Sequence, residues 1–379
     1  MAALRGRAES AAEHLVKLDA TAESIRRETA DLRSARAEAI QPAIAAAVEA
    51  AFGPLREAIQ TPEQVAAVKA AVVGPARRAT VLDAFGIDLR DLRGDALEVD
   101  LWDSADAPAI DQHYIWQEPV LRALVLGQRF PVWLGGEKGT GKTQAAIQFA
   151  ARTGRPFTRI NFHKYSSAEE YMGATGLENG ATTFKAGPFL SAYTVPGSVI
   201  LLDEPTNADP GELAPLNGVL ERGQPCVQFG GHQWQRAKGV MVLAADNTMT
   251  NGDMTGRYAG TRQMNSALAD RFALIVQVGW LPPEQEIDAL VGITGCSREI
   301  ALSVVSVLTV CRAKAASGDI VDAPSIRQAC AWIEAMPALG TREAWNCAIA
   351  SRQPSEGAVQ LEALFTASVD VDAWDKRLA

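Results

Sequence analysis

The chain has 379 residues and a formal net charge of −9, and 47% of its residues are hydrophobic against 21% charged. This balance is typical of a globular protein and excludes a largely disordered one. The acidic charge also argues against a protein that binds nucleic acid over its whole surface, although it is compatible with a local basic patch.

Cysteine spacing and apolar runs exclude further classes. The five cysteines are far apart and form no CxxC pair, and with the four histidines they show no zinc-binding spacing. The N-terminus has no apolar stretch of the kind found in secretory signals. The longest apolar region, residues 300–311, is too short to span a bilayer. We therefore expect a cytoplasmic protein without a membrane segment.

Residues 1–75 are rich in Ala, Glu and Arg and predict an all-helical arm. Mostly apolar residues recur there at alternating spacings of four and three, which is typical of a coiled coil. The positions are Leu4, Ala8, Ala11, Leu15, Leu18, Ala22, Ile25, Thr29 and Leu32. Two interpretations are open: a helical hairpin packed on the main domain, or an arm that mediates oligomerisation or partner docking.

The rest of the chain divides into three predicted parts. Residues 76–118 mix Asp, Pro and Trp with short apolar pieces and are interpreted as a linker. In residues 119–282, apolar runs such as VILLDE and GVMVLAAD alternate with helical stretches, which predicts an α/β core with a parallel sheet covered on both faces. Residues 283–379 show only helical patterns and are predicted to form a helical lid and C-terminal tail.

A phosphate-binding loop is predicted where an apolar strand meets a helix. The run has the pattern G-x-x-x-x-G-K-T and consists of Gly136, Glu137, Lys138, Gly139, Thr140, Gly141, Lys142 and Thr143. Glycines allow backbone N–H groups to turn toward a phosphate, and the helix N-terminus adds a positive dipole. In this pattern Lys142 neutralises phosphate oxygens and the Thr143 hydroxyl binds Mg²⁺. The run therefore predicts a site for ATP and Mg²⁺.

Two carboxylates end the next strongly apolar strand, about sixty residues beyond the loop. Asp203 is predicted to hold Mg²⁺ through its water shell, and Glu204 to orient and deprotonate the attacking water. Such a pair after an apolar run is otherwise a solvated strand end. Beside a phosphate loop, the pair favours hydrolysis over binding alone.

Three further residues are candidates for the same site. Asn247 follows the apolar run 239–245 and is predicted to hold the attacking water, although Asn at a strand tip is also ordinary turn chemistry. Arg271 is predicted to reach the γ-phosphate of a neighbouring subunit, or else to form a salt bridge. Arg327 starts a lid helix and is predicted to contact the nucleotide, the alternative being a surface position.

The order of these motifs resembles that of AAA+ ATPases of the MoxR-like branch, and within it the AAA+ subunits of aerobic cobaltochelatase. The resemblance covers about residues 82–335, and its most specific part is DNTMTNGDMTGRYAGTRQMNSALADRF, residues 246–272. It implies ATPase activity, a hexameric ring and a protein partner with a von Willebrand A domain. It also implies the stated roles of Lys142, Thr143, Asp203, Glu204 and Asn247, and those of the two arginines. The helical arm, Phe272 in place of the family's frequent Trp, and residues 336–379 depart from it.

The functional hypothesis is therefore an ATP-driven ring that remodels or activates a protein partner. One alternative is a nucleic-acid motor or loader, which the acidic charge disfavours. A scaffold with a vestigial site is a second, and the ATPase subunit of a genuine cobalt chelatase complex is a third. No membrane partner is expected.

Overall fold

The structure is a computed structural model that describes residues 74–178, 181–221, 223, 226–250 and 261–378. The predicted arm, residues 1–75, lies almost wholly outside the described residues, and its helical character stays a prediction. The described segment that precedes the core contains β1 (Arg77–Thr80), α1 (Val81–Phe85) and β2 (Glu98–Leu101). β1 and β2 pair antiparallel.

The α/β core follows in chain order. Its elements are α2 (Glu118–Leu126), β3 (Val132–Gly135), α3 (Lys142–Arg152), β4 (Phe157–Asn161), α4 (Ala168–Met172), β5 (Gly173–Glu178), β6 (Ala181–Ala186), α5 (Pro188–Tyr193), β7 (Val199–Asp203), α6 (Leu216–Leu220), β8 (Cys226–Phe229), β9 (His232–Gln235), β10 (Met241–Asp246), α7 (Ser266–Arg271) and β11 (Leu274–Gln277). The pairs β5–β6 and β8–β9 are separate antiparallel hairpins.

A five-stranded parallel sheet with the order β11-β3-β10-β7-β4 forms the centre. Every residue of β3, β7 and β10 is buried. Alternate residues of these strands enter two different apolar clusters, because successive side chains of a strand point to opposite faces. The α/β fold with a parallel sheet covered on both faces is thus confirmed.

Strand register brings three predicted motifs to one edge of the sheet. Gly135, the last residue of β3, lies opposite Asp246 at the end of β10, and Ala245 lies opposite Asp203 at the end of β7. Because the strands are parallel and level, the loops that follow them begin side by side. A crevice beyond the carboxyl ends of such strands is where α/β sheets bind ligands.

The C-terminal helices pack around one apolar cluster. They are α8 (Pro283–Thr294), α9 (Arg298–Ser317), α10 (Ile326–Leu339), α11 (Thr341–Ala348), α12 (Ser355–Ser368) and α13 (Val371–Leu378). The rings of Trp332 and Trp345 meet edge-on inside this cluster, with centroids 4.9 Å apart. α9 has the length and composition of a membrane span, a weak indication that core helices also satisfy, and its apolar face contributes to this cluster.

Candidate active site

The loop between β3 and α3 depends on glycine at three positions. The backbone φ angle is positive at all three: +152° at Gly136, +87° at Gly139 and +94° at Gly141. Residues other than glycine rarely adopt such angles. A Cβ on Gly136 would lie 2.2 Å from the Val278 carbonyl oxygen, and one on Gly139 would lie 2.2 Å from the Ser325 Cβ. A Cβ on Gly141 would meet nothing within 4 Å. The N-terminus of α3 therefore faces open space, as a phosphate-binding helix end requires.

The other residues of this loop are held locally. The Thr140 hydroxyl donates to the Glu137 carbonyl at 2.9 Å, and Thr140 is buried. Lys138 is exposed at the tip of the loop. The backbone of the loop is thus closed on itself before α3 begins.

Lys142 is the first residue of α3 and is only 8% exposed. Its ammonium donates to the carbonyl oxygens of Gly136 at 2.7 Å and Glu137 at 2.8 Å, and to the Asn247 Oδ1 at 3.2 Å. Burial lowers the pKa of this ammonium to about 8, against the opposing effect of nearby carboxylates. A buried cation ringed by neutral acceptors is well suited to exchange them for phosphate oxygens.

Thr143 and Asp203 meet at the start of α3. The Thr143 hydroxyl donates to Asp203 Oδ1 at 3.3 Å, and Asp203 is 4% exposed. Burial raises the pKa of this carboxyl, and the Arg159 guanidinium, which forms an ion pair with it, opposes that shift. A hydroxyl and a carboxylate are hard oxygen donors, the kind that Mg²⁺ prefers.

Elsewhere in the described chain, no group of three or more His, Cys, Asp or Glu side chains is placed to hold a metal ion. Mg²⁺ at Thr143 and Asp203 would accordingly take most of its ligands from phosphate oxygens and water, which is its usual habit. The residues present fit both a triphosphate and its magnesium.

Glu204 leaves the sheet in a left-handed conformation, with φ 54° and ψ 47°, which is uncommon for a residue other than glycine. Its two carboxylate oxygens each accept a hydrogen bond from an amide. Asn247 Nδ2 donates to Oε1 at 3.1 Å, and Asn207 Nδ2 donates to Oε2 at 2.9 Å. A strained backbone and two fixed donors define the orientation of this carboxylate.

Asp246 forms hydrogen bonds with both turns that carry the site residues, the turn after β7 and the turn after β10. One carboxylate oxygen accepts from the backbone N–H and hydroxyl of Thr206, and the other accepts from the same two groups of Thr248. Asp246 is 1% exposed, and burial raises the pKa of its carboxyl although these hydrogen bonds oppose the shift. The turns after β7 and β10 are therefore linked through one buried side chain.

The two predicted arginines lie apart from this group of contacts. Arg271 ends α7 and forms an ion pair with Glu221 at 2.5 Å. Arg327 is exposed in the first turn of α10, whose N-cap residue is Ser325. Because Ser325 packs against Gly139, that first turn lies next to the phosphate loop. The structure thus joins Lys142, Thr143, Asp203, Glu204 and Asn247 through hydrogen bonds and leaves both arginine roles as predictions.

Sequence reasoning missed three side chains of the site. Arg159 stands in the short strand β4, and its charge amid residues of a sheet could have indicated a function. Asn207 is the third residue after Glu204, a spacing that allows contact across one tight turn. Asp246 directly precedes Asn247, and a carboxyl at the end of a fully apolar strand was a visible signal.

Residues 131–272 match the family described as the AAA domain of the dynein-related subfamily. CobS, an aerobic cobaltochelatase subunit of Sinorhizobium sp, is 29% identical over 269 residues, which are 67% of this chain and 79% of that protein. The chain is similar to MoxR-like AAA+ ATPases related to CobS. The predicted resemblance is confirmed.

Two further relatives match shorter parts of the chain. BssE of Thauera aromatica is 29% identical over 220 residues, 56% of this chain and 74% of BssE. NorQ of Paracoccus denitrificans is 27% identical over 176 residues, 46% of this chain and 62% of NorQ. Among solved structures, a RuvB variant of Thermotoga maritima superposes with a TM-score of 0.42 at 13% identity, over 64% of this chain and 73% of that one. That likeness is too remote to support an argument.

Proposed function

We propose that this AAA+ protein hydrolyses Mg-ATP in a ring, taken as a hexamer, and uses the cycle to remodel or activate a protein partner in the cytoplasm. The observation that carries hydrolysis is the Glu204 carboxylate, oriented by two amides within one hydrogen-bonded group that includes Lys142. Nucleotide binding alone requires the loop and the lysine. A positioned carboxylate adds what proton abstraction from water requires.

The chain's own residues divide the work as follows. The glycine turns present N–H groups at the start of α3, and Lys142 transfers its ammonium from loop carbonyls to phosphate oxygens. Thr143 and Asp203 hold Mg²⁺, which neutralises phosphate charge when bound. Glu204 would accept a proton from the water that attacks the γ-phosphorus as the bond from that phosphorus to the ADP oxygen breaks, and Asn247 would hold that water.

The ring rests on the proposed role of Arg271, not on an observed contact with another subunit. In the part of the chain that the structure describes, the ion pair of this side chain is with Glu221 rather than with the phosphate loop of its own subunit. An arginine that completes a neighbour's site has to lie outside its own. The supposed von Willebrand A partner rests only on resemblance to the MoxR-like branch.

Similarity to CobS favours a second candidate, the ATPase subunit of a cobalt chelatase complex. The two candidate functions predict different partners. The chelatase subunit would co-purify with a large chelating subunit, and the remodelling ATPase would co-purify with its protein client. A nucleic-acid motor is disfavoured by the net charge of −9.

Hydrolysis is tested by phosphate release from Mg-ATP. We expect Glu204→Gln to lower kcat by about 10²–10⁴-fold, the usual worth of a general base, while ATP still binds. Glu170→Gln, at an exposed carboxylate of α4, is the control and should turn over as the wild type does. Wild-type turnover by Glu204→Gln would refute the assigned base.

The ring is tested by mixing two inactive variants. Arg271→Ala lacks the arginine and Lys142→Ala lacks the lysine, so a mixed ring contains some interfaces with both groups intact. We expect partial recovery of ATPase activity on mixing. An absence of recovery, with mixed oligomers present by light scattering, would exclude the neighbour's site as the target of Arg271.

A further inference from the structure

The described residues place a second amide on the candidate base, and neither the family resemblance nor the comparisons assign it a role. Asn207 Nδ2 donates to Glu204 Oε2 at 2.9 Å. On the basis of the proposed ATPase function, we propose that Asn207 is a positioning residue. It holds the Glu204 carboxylate in the orientation needed for proton abstraction.

The contact differs from the usual behaviour of asparagine in a turn. Turn Asn side chains ordinarily satisfy nearby backbone groups. Asn217, the second residue of α6, likewise satisfies a nearby backbone group, since its amide donates to the Ala214 carbonyl at 3.1 Å. Asn207 instead gives its amide to a carboxylate, and such charge-assisted hydrogen bonds are about twice as strong as neutral ones.

The turn that carries Asn207 is anchored on both sides. The preceding residue, Thr206, donates twice to the buried Asp246, and its carbonyl accepts from the Arg262 N–H at 2.8 Å. The following residue, Ala208, is 1% exposed within an apolar cluster. The backbone of Asn207 therefore has little conformational freedom. Its side-chain amide is accordingly held close to Glu204 before any nucleotide binds.

The other amide that donates to Glu204, that of Asn247, also contacts Lys142. Asn207 is therefore needed to hold the Glu204 carboxylate when Lys142 moves. Asn247 donates to Glu204 Oε1 and at the same time accepts from the Lys142 ammonium at 3.2 Å. When Lys142 turns to phosphate oxygens, Asn247 loses that partner and is free to rotate. Asn207 has no contact with Lys142 among those described, so its hold on Glu204 persists through the change.

The experiment compares steady-state ATP turnover in the wild type and four variants. We expect Asn207→Ala to lower kcat by about 10–100-fold with KM changed by less than twofold, because the lost hydrogen bond acts on the base and not on bound nucleotide. Asn207→Asp, which keeps the size but lacks the donor, should be at least as impaired. Asn207→His, whose Nδ1 lies the same number of bonds from Cα, should recover several-fold over Asn207→Ala.

Asn217→Ala is the matched control, since it removes a side-chain amide that donates to a backbone carbonyl at the start of α6 and does not contact Glu204. Its kcat should stay within twofold of the wild type. The proposal is overturned if Asn207→Ala keeps wild-type kcat, if its KM rises in proportion to the loss, or if Asn217→Ala loses as much. A wild-type chain without ATPase activity would overturn both the proposed function and the role of Asn207. Failure of the Asn207 role alone would leave the ATPase activity of the wild type intact, so the two failures are distinguishable.

Discussion

The Arg159 guanidinium of β4 forms an ion pair with the Asp203 carboxylate at the end of the adjacent strand β7. The other oxygen of this carboxylate accepts a hydrogen bond from the Thr143 hydroxyl, so a positive side chain contacts one of the two predicted magnesium ligands. Arg159 is half exposed, and it can turn toward solvent at little cost. We therefore expect the guanidinium and Mg²⁺ to compete for one carboxylate.

Removing the charge of Arg159 should strengthen magnesium binding. We expect Arg159→Gln to reduce the Mg²⁺ concentration for half-maximal ATPase about fivefold, since a unit charge at about 4 Å is worth about 1 kcal/mol in water-like surroundings. The measurement is a Mg²⁺ titration at fixed ATP. Arg159→Lys keeps the charge and should behave as the wild type. An unchanged midpoint in Arg159→Gln would exclude the competition.

Lys142 should destabilise the fold at neutral pH. Burial lowers its pKa from 10.5 to about 8, so between these values the unfolded chain holds a proton that the folded chain has released. The free energy of unfolding consequently rises with pH across that window and is lowest below it. We expect Lys142→Met to raise the free energy of unfolding at pH 7, on the order of 1–3 kcal/mol, and to abolish ATP binding.

Denaturant unfolding at pH 7 and pH 10 checks this prediction. The advantage of Lys142→Met over the wild type should shrink at the higher pH. Lys185→Met, at an exposed position of β6, should show no such pH-dependent gain. A Lys142→Met chain that is less stable at pH 7 would mean that its hydrogen bonds outweigh desolvation.

Gly141 should separate backbone strain from phosphate binding. Gly141→Ala keeps a φ of +94°, at a cost of about 1 kcal/mol, and its Cβ enters the open space before α3. We expect ATP affinity to fall at least tenfold, measured by calorimetry. Gly86→Ala is the control, because Gly86 also has a positive φ, +74°, and open space around a Cβ. It should lose similar stability and keep ATP affinity.

Glu286 and Arg312 form a buried pair in the helical lid. Their side chains are 3% and 10% exposed, and the guanidinium donates to both carboxylate oxygens, at 2.6 and 2.7 Å. We expect Glu286→Leu to cost about 3–5 kcal/mol in denaturant unfolding, because Arg312 is left buried without its partner. The double variant Glu286→Leu/Arg312→Met should recover most of that loss.

Two exposed ion pairs in the same domain provide the comparison. Arg298 contacts Glu284 and Asp288, and all three side chains are more than half exposed. Arg298→Met should change the free energy of unfolding by less than about 1 kcal/mol. Equal losses for the buried and exposed pairs would show that burial does not set the cost.

The fold class could be predicted from the amino-acid sequence, which also named the main candidate residues of the site. Continuous apolar runs predict strands buried on both faces, and the glycine pattern before Lys142 predicts the phosphate loop, because each depends on local chemistry alone. The acidic pair at residues 203 and 204 was visible for the same reason. These features need no knowledge of which strands are neighbours.

Contacts between particular side chains could not be predicted before the strand order and register were known. The strand order and level register bring Asn247 to Glu204, 43 residues away in sequence, and Arg159 to Asp203. The pairing of Arg271 with Glu221 depends in the same way on how α7 lies. Such contacts arise from packing between elements distant in sequence. The pattern of apolar residues along the chain indicates which face of a strand is buried, but not which strand lies beside it.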